Sequence, residues 1–316
     1  MVAELQAPGV RGPSPSLERA RRDGLLASCG HDFEPRFAEL EHGRLAHVDE
    51  GTGPLVLFVH GNPTWSFQFR HLVQGLKGTH RCVAPDHFGC GFSDQPGEPD
   101  YRYTLEQRVA DLGALVESLD HDGPVSLVLH DWGGMIGLAW ALLHLPPERL
   151  DKVVLLNTAG FCLPEGQGLP SSLRLARGSR VGEALVRGLN AFTQGTVAGL
   201  GSATPLSAAI KRCYLAPHDS WQRRLSVARF VQDIPLAPGD PAWSLVAEVE
   251  AALPLLQERQ VLIGWGLQDF VFDAGFLAEW RRRLPDARYE VFEDAGHLVL
   301  EDRGETLIPR IVDFLK

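Results

Sequence analysis

The chain has 316 residues, 44% of them hydrophobic, and a formal net charge of −10. This apolar content excludes a disordered chain, and the length fits one large core or two smaller domains. The negative charge disfavours a nucleic-acid partner, and no apolar run reaches the roughly 18 residues that span a bilayer, so we expect no integral membrane segment.

The first thirty residues are rich in Pro, Gly, Ser and Arg and lack the apolar core of a signal peptide. We therefore predict a flexible arm over 1–30 with one short helix, whose arginines face solvent. The cysteines show neither a C-x-x-C motif nor the spacing of a metal site; they are Cys29, Cys82, Cys90, Cys162 and Cys213. This pattern predicts reduced thiols, a cytoplasmic location, and neither a metal nor another cofactor.

Alternating strand and helix patterns predict an α/β fold with a mostly parallel, eight-stranded sheet flanked by helices. A hairpin is expected over 36–50. Helices are expected over 104–119 and, closing the chain, over 301–316. The remaining strands are expected over 55–59, 80–85, 125–130, 152–157, 260–265 and 288–293.

Between 160 and 245 this alternation stops, and short helical patterns are separated by Gly and Pro. We predict a helical cap over 160–245, inserted after the sixth strand, and an α/β core made of 31–159 and 246–316. Such a cap would close over the carboxyl ends of the strands and exclude water from a site there. Most of its aromatic side chains should form the cap's own core, and a few should line the pocket.

The first strand end with candidate chemistry is His60-Gly61-Asn62-Pro63. Asn-Pro on its own merely initiates a turn. Where a later strand of the same sheet ends in a nucleophile, however, this position supplies one N–H of an oxyanion hole. The N–H of Asn62 would then pair with that of Trp132, and the Asn62 side chain could also donate into the site.

The stretch VSLVLHDWGGMIGLAWA, residues 125–141, reads as strand, tight turn and helix with Asp131 at the apex. α/β-Hydrolases carry their nucleophile on such a turn, usually as Ser in G-x-S-x-G. A carboxylate there can displace a leaving group from saturated carbon and leave an ester that activated water cleaves. Asp131 therefore favours cleavage of C–halogen or strained C–O bonds. The alternative is an Asp that only caps the next helix.

Two later strand ends supply the partners of such a nucleophile. Asp269 follows the strand that ends at Trp265-Gly266, and it is preferred over Asp273 because it lies nearer the strand end. His297 follows the last strand and is the candidate base. The chain order of nucleophile, acid and histidine is the α/β-hydrolase order. Some α/β-hydrolases carry the acid of the triad at the end of the preceding strand. Here that strand ends at Asn157 and offers no carboxylate.

From about residue 35 to 316 the chain resembles the haloalkane dehalogenase family of α/β-hydrolases. The resemblance rests on the motifs HGNPTW, PDHFGCGFSDQP, HDWGG, WGLQD and GH. Within that family it is more similar to the branch with the β-lactone decarboxylases of bacterial olefin biosynthesis. That closer resemblance extends through HDWGGMIGLAWAL, LLNTAGFCLP, RFVQDIPLAPGDPAWSL and GWGLQDFVFD.

The resemblance implies an Asp131–His297–Asp269 triad, with Asn62 and Trp132 holding the leaving group and a hydrophobic small molecule as substrate. It implies decarboxylation of a cis-3-alkyl-4-alkyloxetan-2-one to an olefin, with haloalkane dehalogenation as the alternative. The resemblance also allows a complex with other enzymes of olefin biosynthesis.

Other activities of this fold fit the residues less well. Epoxide hydrolases resemble one another in having two cap tyrosines, whereas this cap contains only Tyr214, and they usually carry an aromatic residue where Asn62 stands. Fluoroacetate dehalogenases are expected to have Arg in place of Trp132, and a serine esterase needs Ser at the apex. A binding protein without activity would more often have lost a triad member.

Overall fold

The computed structural model describes residues 9–164 and 166–316, and its central feature is an eight-stranded sheet. The strand order is β1-β2-β4-β3-β5-β6-β7-β8; the pairs β1–β2 and β2–β4 are antiparallel and all others are parallel. The predicted fold class is thereby confirmed. The strands are β1 Arg36–Leu40, β2 Gly43–Glu50, β3 Leu55–Val59, β4 Arg81–Pro85, β5 Val125–Asp131, β6 Leu150–Thr158, β7 Gln260–Gly266 and β8 Arg288–Phe292.

Helices cover both faces of the sheet and form the cap. They are α1 Pro15–Arg22, α2 Leu25–Ser28, α3 Arg70–Leu76, α4 Leu105–Ser118, α5 Trp132–Leu143, α6 Ser171–Gly178, α7 Arg180–Leu189, α8 Ala191–Gly195, α9 Ala208–Leu215, α10 Leu225–Gln232, α11 Trp243–Ala252, α12 Ala274–Arg283, α13 Val299–Asp302 and α14 Gly304–Leu315. A π-helical turn spans Thr196–Leu200, and short 3₁₀ helices span Ser66–Phe69, Pro147–Arg149, Ala216–His218, Gln222–Arg224 and Leu253–Glu258.

The central strands are continuous apolar runs because both of their faces are buried. Every residue of β3 and β5 is buried. Since side chains alternate along a strand, Val56 and Phe58 pack with α3 and α14, whereas Leu55 and Leu57 pack with α4, α5 and α12. This double layer fixes the sheet rigidly, so the loops at the carboxyl ends of the strands are held in place.

The chain between β6 and β7 forms a helical insertion that contains α6 to α10. Leu173, Val186 and Val227, each from a different helix, pack into a small core of their own. The following helix, α11, contacts α5. The chain therefore rejoins the α/β core from about residue 243, slightly before the predicted boundary at 246.

The N-terminal segment differs from the predicted flexible arm where the structure describes it. Ser14 caps α1 by accepting the N–H of Leu17, and α1 and α2 bury Leu17 and Leu26 against α9. These apolar side chains are too few to show a clear helical pattern among the arginines, but they suffice to pack two short helices. Residues 1–8 of the predicted arm lie outside the described residues. In the described ranges, none of the helices has the length and apolar character that crossing a membrane requires.

Candidate active site

The turn between β5 and α5 places Asp131 at its apex. Its backbone has φ 52° and ψ −128°, a conformation that non-glycine residues rarely adopt. Two glycines follow, and a Cβ on Gly133 would collide with the Val59 carbonyl. The sharp, tightly packed turn thus aims the carboxylate away from the helix and past the strand end, as the sequence predicts for a nucleophile.

The carboxylate of Asp131 is held by backbone donors from two strand ends. Its Oδ1 accepts the N–H of Asn62 at 2.5 Å, and the backbone N–H of Trp132 also donates to the carboxylate. Apart from that bond to the first residue of α5, its side chain makes no capping bond to the helix among the described residues, which argues against the alternative of a simple helix cap. Burial raises the pKa of Asp131 to about 6, although the charge of His297 and the two N–H groups act in the opposite direction.

His297 lies between two carboxylates. Its Nδ1 is 2.8 Å from Oδ2 of Asp269, and its Nε2 is 3.8 Å from Oδ2 of Asp131. Burial of the imidazole lowers its pKa, but the charge of Asp269, the hydrogen bond to it and the charge of Asp131 together outweigh burial and raise the pKa of His297 to about 9. The resting site therefore favours an imidazolium paired with two carboxylates.

The two candidate acids occupy different places. Besides facing His297, the Asp269 carboxylate accepts Nδ2 of Asn157 at 3.0 Å and the N–H of Val271 at 2.8 Å. Asp273 instead caps α12, and its Oδ1 accepts the N–H of Gly275 at 2.8 Å. The structure thus brings Asp269, and not Asp273, to the imidazole, and the Asn157 amide orients the acid.

Sequence reasoning missed two residues that position the base. The ring of His130 contacts the histidine loop, with its Nε2 2.9 Å from the carbonyl oxygen of His297. The Asp302 carboxylate accepts the N–H of Gly296 at 2.7 Å and that of Ala203 in the cap at 2.9 Å. In the sequence, His130 stands just before Asp131, and Asp302 ends the stretch GHLVLED. Neither pattern reveals the contacts of these side chains, because some of their partners are distant in sequence.

Asn62 and Trp132 both line the cavity beside the Asp131 carboxylate. The Asn62 amide donates one hydrogen to the carbonyl of Val227 in the cap, 3.2 Å away, so its second hydrogen is available to a bound group. Neither the amide nor the indole N–H carries a charge. The pair can therefore stabilise an anion without forming a permanent ion pair with it.

The remaining cavity wall is almost entirely apolar and comes largely from the cap. Most polar groups along it belong to the residues already described, and Thr196 is a further one. Among the residues that the structure describes, no cluster of His, Cys, Asp and Glu is arranged to hold a metal ion. The apolar lining includes Met135, Phe161, Leu163, Leu169, Leu173, Phe192, Val231, Ile234, Val271, Phe272 and Phe276.

Comparison with known proteins gives the family of this chain and its relatives. Residues 54–304 match the family described as alpha/beta hydrolase fold. The chain is 46% identical to the cis-3-alkyl-4-alkyloxetan-2-one decarboxylase of Shewanella oneidensis, over 90% of this chain and 88% of that protein. It is 36% identical to a haloalkane dehalogenase of Sphingobium indicum, over 90% and 95% of the two chains. The crystal structure of the haloalkane dehalogenase DatA from Agrobacterium tumefaciens superposes with a TM-score of 0.78 at 26% identity, over 91% of this chain and 98% of that one.

Proposed function

Since the chain belongs to the α/β-hydrolase family, we propose that it is an enzyme with an Asp131–His297–Asp269 triad that converts a cis-3-alkyl-4-alkyloxetan-2-one to an olefin and CO2. The observation that carries the substrate choice is the likeness to a decarboxylase of that name, which exceeds the likeness to a dehalogenase by ten percentage points of identity. The apolar cavity supports it, because two alkyl chains need an apolar wall on both sides of the reacting ring.

The proposed reaction begins with attack of the ionised Asp131 on the saturated ring carbon that is bonded to the ring oxygen of the lactone. That C–O bond breaks, the ring strain is released, and the substrate carboxylate leaves as an anion while the carbon becomes esterified to Asp131. Loss of CO2 then breaks the C–C bond, and its electron pair forms the C=C bond and expels Asp131 as a carboxylate. Both steps balance without water or a proton.

The surrounding donors have distinct roles in this proposal. Asn62 and Trp132 stabilise the carboxylate that leaves in the first step, since both residues line the cavity beside Asp131 and their side chains carry N–H donors. The imidazolium of His297, oriented by Asp269, offsets the charge of Asp131 before attack and after its release. With a substrate whose leaving group departs altogether, the same histidine would instead activate water against the ester.

Haloalkane dehalogenation is the second candidate, because the Asn62–Trp132 pair is equally suited to a halide ion. Epoxide hydrolysis has less support. The hydroxyl of Tyr214, the single tyrosine of the cap, donates to Glu301 at 2.7 Å, and within the described residues it is not part of the cavity wall. The cap therefore offers no tyrosine to protonate an epoxide oxygen.

The deciding experiment compares kcat/KM of the purified protein for a dialkyl cis-β-lactone and for a bromoalkane of similar length. We expect the lactone to be preferred and an olefin to be its product. A bromoalkane turned over with far higher kcat/KM would overturn the proposal and leave a haloalkane dehalogenase. Asp131→Asn serves as the control, because both reactions need the carboxylate.

We also propose a cytoplasmic location, supported by five cysteines that all remain free thiols. We further propose that the enzyme forms a complex with other enzymes of olefin biosynthesis and receives its lactone from them. Co-purification of the tagged full chain with such enzymes tests that association.

A further inference from the structure

The cap differs from the rest of the molecule in charge. Residues 171–224 contain eight arginine and lysine residues and two acidic ones, whereas the whole chain has 30 basic and 40 acidic residues. Residues 171–224 thus form a basic segment on an acidic protein, and over the whole of 160–245 the cap holds nine basic and five acidic residues. Catalysis at Asp131 does not explain this segregation, because the cavity wall is apolar.

The same region carries most of the exposed apolar side chains. Of seven large hydrophobic residues that are exposed in the described part of the chain, five lie in the cap; they are Leu175, Val181, Leu189, Leu200 and Trp221. Val181 is 63% exposed and Leu189 is 70% exposed. Single exposed hydrophobic residues are ordinary, but a concentration of them on one subdomain marks an interaction surface. We call these five residues the cap face.

Contacts between the helices bring members of the cap face together. The backbone of Gly182, next to Val181, lies against the carbonyl of Leu175, so α6 and α7 touch there. At the other end of α7, the indole ring of Trp221 lies against Gly188. The inner side of α6 faces the cavity, since Leu173 is one of the lining residues. Helix α6 therefore lies between Leu175 and the active site.

Exposed basic side chains lie next to part of the cap face. Arg174 and Arg180 are exposed beside the apolar residues of α6 and α7. Beyond Leu189, a surface groove is lined by three arginines and two aspartates, which are Arg19, Arg212, Arg224, Asp23 and Asp219. Cations around protruding apolar side chains match a surface that is negatively charged outside and apolar beneath.

We propose that the cap face docks the enzyme on an anionic lipid surface. The apolar side chains would enter the headgroup region while the arginines bind lipid phosphates, and α6 would lie between the lipid and the cavity. An apolar substrate for this cavity concentrates in lipid, so docking places the cap where that substrate is found. The proposal does not depend on which bond the active site breaks.

The test is co-sedimentation of the full chain, without substrate, with vesicles of phosphatidylcholine alone or mixed with phosphatidylglycerol. We expect sedimentation with the mixed vesicles only, and its loss in high salt because the lipid charge is screened. Val181→Ser combined with Leu189→Ser, and separately Arg174→Glu combined with Arg180→Glu, should each lower the partition coefficient about tenfold or more.

The matched control substitutions are at residues of β1, which is far from the cap in sequence and is not part of the cap face. Arg36→Glu and Phe37→Ser change an exposed cation and an exposed aromatic ring on β1 and should leave sedimentation unchanged. Turnover of a short-chain substrate of the class that the wild type prefers, β-lactone or bromoalkane, should be the same in all four variants, which separates docking from catalysis. Absence of binding to mixed vesicles, or equal binding by the cap-face variants and the wild type, would overturn the proposal whatever the reaction proves to be.

Discussion

The charge of Asp131 should control the protonation of His297, and Asp131→Asn tests this directly. The substitution keeps the shape of the side chain and removes its charge. At 3.8 Å between Nε2 and Oδ2, and with an effective dielectric constant of about 20, two unit charges attract by about 4 kcal/mol, which corresponds to about three pH units. Asp269 contributes more than Asp131 to the raised pKa. We therefore expect the pKa of His297 to fall from about 9 by about one to three units.

The assay is a pH titration of histidine-labelled protein followed by ¹⁵N NMR. The chain has twelve histidines, so His297→Gln identifies the resonance by its loss. Asp273→Asn is the matched control and should leave the midpoint near 9. A midpoint that stays near 9 in Asp131→Asn would show that the charge of Asp131 does not raise the pKa of His297. The expected fall has a catalytic meaning: ester formation also removes this charge and would turn His297 from an acid into a base.

Three further predictions concern the same groups. Asp269→Asn should lower kcat by several orders of magnitude because the imidazolium loses its partner, whereas Asp273→Asn should be near normal; the reverse order would reassign the acid. Because attack needs ionised Asp131, whose pKa is about 6, kcat/KM should fall as the pH drops through 6 and should hold above it; a profile flat to pH 4.5 would contradict this pKa. Trp132→Phe keeps an aromatic ring and removes the indole N–H, so kcat should fall about 10²-fold, and unchanged turnover would exclude the indole as a donor to the leaving group.

The sheet and the positions of Asp131, His297 and Asp269 at strand ends could be predicted because each depends on local pattern. Buried parallel strands are apolar runs that end abruptly, and the carboxyl ends of such strands meet at one edge of the sheet. Asn62, Asp131, Asp269 and His297 all lie at such ends. Three of them line one cavity, and the fourth, Asp269, is hydrogen-bonded to His297. The choice of Asp269 over Asp273 needed only the distance from the strand end.

The cap and the N-terminal helices could not be predicted to the same depth. Their helices are short and interrupted by Gly and Pro, so apolar periodicity is weak, and their partners are distant in sequence. Ser14 donates to the carbonyl of Ala216, and Tyr214 bonds Glu301. No pattern within either segment specifies these contacts, because they depend on how the cap packs against the N-terminal helices and the core.

Peptide mass spectrometry of His297→Ala, after exposure to a bromoalkane that the wild type turns over, tests whether Asp131 is the nucleophile. Without the imidazole, water attack on the ester should be slow, so the alkyl group should accumulate on the peptide that contains Asp131. We expect the mass of that alkyl group on Asp131, and its absence from Asp131→Asn treated in the same way. An unmodified peptide in His297→Ala, with the wild type active on the same compound, would show that Asp131 is not the nucleophile.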